Sequence, residues 1–280
     1  MDMSALMPRT LTPAEQHAYC ARIGLTRLPQ PDAAGLLVVQ RAHRLAIPFE
    51  NLDIILGRGI SLDPDHVFAK LVGARRGGYC FEQNQLFLRV LQTMGFVARP
   101  LLGRVWLMAN GVTPGLTHTF NLVELDGAQW IADAGFGGFF TPPMRVADGG
   151  EAVAADGGRY RLVARDPAIE PGWMLQRAVG DNGWADQYSF TQAPAFPADL
   201  ALSNHWTATS LPSRFTSNRI ASLVTPDGLL TLNGRGLTER AGDTVVLELE
   251  IGSASAYRAL LVERFGIVFD AATVDALGLF

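Results

Sequence analysis

The sequence predicts an α+β protein: helices first, then antiparallel strands forming a barrel or sandwich, then a C-terminal part that mixes both. Three observations carry this. Up to residue 95, helix-starting residues stand ahead of apolar positions at helical spacing. From Ala98, short apolar-rich runs alternate with Asp-Gly and Gly-Gly turns, as consecutive antiparallel strands do. Past residue 200 the two textures interleave. The expected units are 1–95, 96–200 and 201–280, with no linker, internal repeat or low-complexity tract to sharpen the borders.

Each element has a local reason. Thr12-Pro13-Ala14-Glu15 is a capping box with proline at the first helical position, and Gly24 marks the end of that helix. A second helix over 36–45 must stop before Pro48. Asp63-Pro64 opens a third that runs to about residue 72. The fourth begins at Cys80, and Leu86, Phe87, Val90, Leu91 and Met94 recur along one face until Gly95. Strands are predicted over 100–107, 118–125, 128–133, 159–164, 173–179 and 184–190. Asp126-Gly127, Asp156-Gly157-Gly158 and Asp181-Asn182-Gly183 separate them. The stretch 199–210 begins in helical style. A hairpin over 220–225 and 229–233 turns at Asp227-Gly228. Residues 245–251 read equally as strand or helix, and Ser255 is expected to cap a helix ending at Phe265 before Gly266.

Composition narrows the function. A chain of 280 residues can hold two or three small units that share buried surface. With 48% apolar and 18% charged residues it is not a disordered chain. A net charge of −4 gives no footprint for nucleic acid, so a polyanionic cosubstrate would need a local positive pocket. Cys20 and Cys80 are the only cysteines, too few for a disulfide framework, and no Cys/His cluster has zinc spacing. A Cys20–Cys80 bridge would consume the candidate nucleophile, so a reducing compartment is expected. Residues 1–10 lack a signal-peptide apolar core, and no apolar run is long enough to cross a membrane. These features point to a soluble cytoplasmic protein without metal, nucleic-acid or membrane partners; an oligomer stays open.

The chemistry centres on Cys80, which follows Arg75-Arg76-Gly77-Gly78-Tyr79 into the first turn of its helix. Unpaired N–H groups and a partial positive charge there favour a thiolate, although a lone cysteine is also a common small core residue. His118 begins a strand-like run that ends at the Asp126-Gly127 turn. If those two are the turn residues, Leu125 opposes Ala128, and paired residue numbers sum to 253. Asp133 then faces Phe120, with His118 two residues along on the same face. Such diagonal neighbours lie ~7–8 Å apart, within reach of an imidazole and a carboxylate. A one-residue slip would send them to opposite faces. Nucleophile, base and orienting carboxylate thus occur in the order Cys80, His118, Asp133. Taken singly, each has an ordinary reading: core thiol, surface histidine, turn aspartate.

RGGYCFEQN, THTFNLV and WIADAGFGG, with the earlier Ile47-Pro48-Phe49-Glu50-Asn51-Leu52-Asp53, resemble the arylamine N-acetyltransferase family. The 38- and 15-residue intervals from Cys80 to His118 and on to Asp133 resemble it too, and the likeness runs from about Leu11 to Gly266. The resemblance implies an N-terminal helical bundle, an antiparallel β-barrel and a C-terminal α/β lid around a papain/transglutaminase-like Cys-His-Asp core. It implies catalysis by Cys80, His118 and Asp133, with acetyl-coenzyme A as cosubstrate and no permanently bound cofactor. The acceptor would be an arylamine, hydrazine or arylhydroxylamine, reached through an acyl-cysteine. Phe136 and Phe49 would contact the acceptor. Thr117 and the loop glycines Gly135, Gly137 and Gly138 would lie near the cosubstrate. The segment Thr209-Ser210-Leu211-Pro212-Ser213 departs from the family's order at Leu211, which leaves Ser210 and Ser213 open as cosubstrate contacts. Arg76 and Glu50 would form an ion pair bracing the cysteine turn. Trp173, Trp184 and Trp206 are read as packing residues, and His17, His43, His66 and His205 as surface or satisfied core histidines. Competing readings are an amide synthase of the same fold closing a macrolactam from a carrier-bound acyl chain, a papain- or transglutaminase-like hydrolase, and a non-catalytic binding module.

Overall fold

Helix α1 (Pro13–Arg22) starts where Thr12 Oγ1 accepts from the Glu15 amide at 3.3 Å and Glu15 returns the bond to the Thr12 amide at 2.8 Å. The computed structural model describes residues 9–280 except 108, 110, 169, 181 and 182, so Asp181-Asn182 of the expected turn and residues 1–8 lie outside the described residues. Helix α2 (Ala33–Ala46) begins earlier than its apolar pattern because Asp32 caps it, accepting from the Gly35 amide at 2.7 Å. Strand β1 (Phe49–Glu50) and the short α3 (Leu52–Ile55) follow. Helix α4 (Pro64–Phe68), capped by Asp63, runs on through a π-helical turn, Ala69–Gly73. Helix α5 (Cys80–Met94) starts with Glu82 accepting from the Tyr79 amide at 3.1 Å and closes on left-handed Gly95.

Eight strands then form one antiparallel sheet. They are β2 (Val97–Val105), β3 (Leu116–Leu125), β4 (Ala128–Ala132), β5 (Met144–Arg145), β6 (Gly150–Val153), β7 (Arg159–Ala164), β8 (Trp173–Val179) and β9 (Gly183–Phe190). Their order is β5-β4-β3-β2-β9-β8-β7-β6, and the end strands β5 and β6 lie against each other. The architecture is therefore a nearly closed barrel rather than a sandwich. Phe120, Leu122, Leu162, Leu175 and Tyr188 fill its interior. Val123 and Leu125, on the opposite face of β3, pack with Leu86, Phe87, Val90 and Leu91 of α5. Both faces of β3 are covered, so every residue from His118 to Val123 is buried.

The remaining elements are α6 (Pro197–Thr209), α7 (Arg214–Ser217), β10 (Ile220–Thr225), β11 (Gly228–Asn233), β12 (Gly236–Ala241), β13 (Thr244–Glu250), α8 (Ala254–Phe265) and α9 (Ala271–Asp275). The second sheet runs β1-β10-β11-β12-β13, so the helical block donates a strand to the C-terminal sheet. Leu230, Leu232 and Leu237 of this sheet share a core with Tyr257, Leu261 and Phe265 of α8. The ambiguous stretch is strand β13; it is an edge whose residues are mostly exposed, so burial imposes no clear period on it. The cap of α8 also differs from expectation. Ser253 accepts from the Ala256 amide at 3.3 Å, and Ser255 sits inside the first turn.

Candidate active site

Two glycines let the loop before α5 press inward. A Cβ on Gly77 would lie 2.2 Å from the Pro48 carbonyl oxygen, and one on Gly78 would lie 2.7 Å from Glu82 Oε2. The Glu50 amide donates to the Gly78 carbonyl at 3.1 Å, tying the loop to β1. Cys80 is therefore held at the first position of α5, and only 3% of it is exposed. The preceding Tyr79 bonds the Asn204 side chain through its hydroxyl, which fastens α6 to the same turn.

The β3–β4 hairpin delivers the other two groups. Its pairs run from Leu125↔Ala128 to Asn121↔Ala132, in the expected register. Asp126 and Gly127 turn the chain with φ of 51° and 72°, the left-handed conformation that a two-residue hairpin loop requires. His118 Nε2 then lies 2.8 Å from Asp133 Oδ2, with both side chains buried. The other carboxylate oxygen, Oδ1, accepts from Asn84 Nδ2 at 3.0 Å and from the Gly135 amide at 2.9 Å. Cys80 Sγ stands 3.9 Å from the carbonyl oxygen of Thr117, the residue before His118. Aromatic rings enclose the imidazole: Phe120 stacks on it at 5.7 Å, Phe136 meets it edge-on at 5.3 Å and Tyr188 tilts over it at 4.9 Å.

Burial alone would drive the proton off His118. The Asp133 carboxylate and Cys80 outweigh it and push the imidazole up to about 10. Burial likewise works against ionised Asp133, but the His118 charge and the bonds from Asn84 and Gly135 hold its carboxyl below the usual carboxylate range.

A buried charge cluster supports the turn from behind. Arg76 Nη2 lies 2.6 Å from Glu50 Oε1 and 3.2 Å from Asp53 Oδ1, with its guanidinium 4.4 Å from the Phe269 ring. Lys70 Nζ bridges Asp53 and Glu82 at 2.7 Å each. Three carboxylates thus face two half-buried cations, with Arg58 at the rim on Asp53. Lys70 is held protonated, its burial outweighed by Glu50, Glu82 and Asp53. Complete burial pushes Glu82 up to about 7 despite its bond to Lys70.

A cavity of about 720 Å³ opens onto Cys80 and His118, and Phe49, Thr117, Phe136, Gly137, Gly138 and Ser213 line it. Gly135 and Ser210 do not. A Cβ on Gly135 would lie 2.7 Å from Asn84 Nδ2 and 2.9 Å from Cys80 Cα, so this glycine lets the hairpin's exit seat on α5. The Ser210 carbonyl accepts from the Ser213 amide at 2.9 Å and from Thr216 Oγ1 at 3.0 Å, closing the turn between α6 and α7. Trp206, expected to pack, instead lines the cavity with 47% of its surface exposed. Trp173 packs against the barrel core, and Trp184 stacks under Arg161 at 4.2 Å. Arg177 and Arg214 also line the cavity, and no acidic side chain does among the described residues. His43 is a satisfied core histidine: it bonds the Tyr19 hydroxyl at 2.9 Å and Gln83 Oε1 at 2.6 Å, and burial presses it down to about 3.

Asn84, Tyr188 and Lys70 were not singled out from the sequence. Asn84 alone carried a usable signal, because it sits one helical turn beyond Cys80 and shares its face. Tyr188 reaches His118 only through the pairing of β9 with β2, and Lys70 approaches through the π-helical turn.

A family model described as N-acetyltransferase matches residues 32–274. The arylamine N-acetyltransferase / N-hydroxyarylamine O-acetyltransferase of Salmonella typhimurium is 37% identical over 253 residues, covering 90% of this chain and 88% of the relative. The Escherichia coli arylamine N-acetyltransferase is 37% identical over 275 residues, 96% of this chain and 95% of the relative. The solved Salmonella typhimurium arylamine N-acetyltransferase superposes with a TM-score of 0.89 at 34% identity, covering 96% of this chain and all of that one. The Mycobacterium marinum arylamine N-acetyltransferase in complex with CoA gives 0.84 at 33% identity, covering 94% and 97%. Proansamycin X synthase of Amycolatopsis mediterranei is 34% identical over 181 residues, 63% of this chain and 67% of that relative. The fold is the papain-like one of these solved relatives, and the class of protein is acyltransferase. The chain belongs to the arylamine N-acetyltransferase family.

Proposed function

We propose that this protein moves an acetyl group from acetyl-coenzyme A to an arylamine, hydrazine or arylhydroxylamine, in two half-reactions that share Cys80. The observation that carries the reading is the 2.8 Å contact of His118 Nε2 with Asp133 Oδ2, buried beside Cys80 at one open cavity. With the proton on His118, Cys80 attacks the thioester carbonyl as thiolate. The tetrahedral adduct collapses, the C–S bond to coenzyme A breaks, and His118 gives its proton to the departing sulfur. The amine nitrogen then attacks the acetyl-cysteine, His118 takes the nitrogen's proton, and Cys80 leaves as thiolate. No proton or electron pair is left over. Weakly basic aromatic amines suit this route because they are largely unprotonated at neutral pH.

Phe49 and Phe136 flank the cavity as aromatic surfaces for the acceptor ring, and Thr117, Gly137, Gly138 and Ser213 line the path offered to the cosubstrate. The positive field that a polyanionic cosubstrate needs comes from Arg177 and Arg214; Arg177 is partly compensated by Asp243 at 2.7 Å. Free Cys20 and Cys80 fit a reducing, cytoplasmic setting. Among the described residues no helix is long and apolar enough to cross a membrane. The same reading divides the chain at about 95 and 200, with β1 crossing from the first unit into the sheet of the third. Initial rates of coenzyme A release with acetyl-coenzyme A and a substituted aniline test it, and parallel double-reciprocal lines are expected. Turnover of a carrier-protein thioester alone, with none of acetyl-coenzyme A, would transfer the site to macrolactam closure.

A further inference from the structure

The geometry points to Asn84 as the positioning residue that fixes Asp133 against His118 and couples both to the helix carrying Cys80. This inference rests on the Cys80–His118 reading above and deepens it. Asn84 is buried, one turn after Cys80 on α5. Its Nδ2 donates both to the Thr119 carbonyl at 2.7 Å and to Asp133 Oδ1 at 3.0 Å, while its Oδ1 accepts from the Ala134 amide at 2.9 Å. Its own carbonyl accepts from Asn121 Nδ2 at 3.1 Å. One carboxamide therefore bonds the strand of His118, the carboxylate and the residue after that carboxylate.

Chemistry fixes the amide's orientation. An N–H faces the oxygen and two acceptors face the nitrogen, so a flipped amide would oppose like groups at all three contacts. With Oδ1 of Asp133 occupied by Asn84 and Gly135, only Oδ2 is presented to His118. Neither aspartate nor alanine at position 84 can reproduce this. A carboxyl has one proton at most, so it can donate to the Thr119 carbonyl or to Asp133 but not to both. Once ionised, it repels both acceptors. The charged and titratable groups around it are Asp133 after β4, His118 on β3, Cys80 on α5, Arg44 on α2 and Tyr188 on β9. Arg44 and Tyr188 both lie within the field of Asp133. Arg44 is committed to the Gly138 carbonyl at 2.6 Å.

The test follows alkylation of Cys80 by iodoacetamide, which needs the thiolate–imidazolium pair but no acetyl donor or acceptor. Rates are measured from about pH 6 to about pH 9, either side of an ordinary imidazole, with folding monitored by melting temperature. Asn84→Ala is expected to slow alkylation roughly tenfold to hundredfold, by analogy with the loss of a group that orients a metal ligand. Asn84→Asp keeps the volume and guards against a variant that fails to fold. Buried beside the Asp133 carboxylate, the introduced carboxyl ionises well above the ordinary aspartate range, so the variant's deficit relative to the parent is expected to widen as pH rises. Alkylation of both variants within about twofold of the parent at every pH would overturn the inference, as would a deficit in Asn84→Asp that does not change with pH. If the parent fails to acetylate amines while alkylation still depends on Asn84, the transferase reading falls and this inference stands.

Discussion

His118 is ringed by apolar and aromatic groups, yet it holds its proton because one carboxylate and one sulfur face it. Its folded value, about 10, lies above the ordinary imidazole value of about 6.5. The stabilisation from the His118–Asp133 pair is thus complete below about pH 6.5 and is lost as pH climbs toward about 10. The melting-temperature gap between the parent and His118→Gln should be widest at mildly acidic pH and narrow steadily on the alkaline side. A gap of constant size would contradict the assignment. The placement of Cys80, His118 and Asp133 was legible in the sequence because a helix start and a two-residue turn fix where three side chains go, whereas their role was read from family resemblance. Tyr188 was not legible: its approach to His118 depends on β9 pairing with β2, Val105 opposite Tyr188, while β2 also pairs with the strand of His118.

Among the elements, the β3–β4 hairpin carries the most consequence for the least sequence. Asp126-Gly127 sets its register, and the register sets which face Asp133 takes. The hairpin's exit must then dock on α5, and Gly135 permits this by having no Cβ where Asn84 and Cys80 crowd it. Gly135→Ala should push the exit off the helix and lower kcat/KM by roughly tenfold or more, with a smaller change in melting temperature than a core cavity would produce. Unchanged kcat/KM would show that the contact yields harmlessly. The long elements were readable because caps and periods agree. Strands β5, of two residues, and β6, of four, are too short to show a period. The edge strand β13 shows none because little of it is buried.

At the scale of the molecule, the cavity belongs to no single layer. Cys80 comes from the helical block, His118 from the barrel, and Ser213, Phe215 and Ile220 from the C-terminal part. Strand β1 and Arg76 stitch these layers together. Arg76 binds Glu50 and Asp53 of the first block, and its guanidinium stacks on Phe269 of the last. Its side chain is 11% exposed and that of Glu50 is fully buried, so Arg76→Ala strands a carboxylate away from water. Breaking such a pair costs about 3–5 kcal/mol, and the melting temperature should drop accordingly; an unchanged value would remove Arg76 as a brace. The sequence pointed to this ion pair only through family resemblance, because residues 50 and 76 lie in separate elements and no spacing rule joins them.

The central claim is that Cys80 carries the acetyl group between two small molecules. Intact mass after incubation with acetyl-coenzyme A, without acceptor, tests it most directly. The protein should gain a single acetyl group that maps to Cys80, that a substituted aniline then discharges, and that Cys80→Ala never acquires. Release of coenzyme A by Cys80→Ala at the parent's rate, or an acetyl group found elsewhere, would contradict the account.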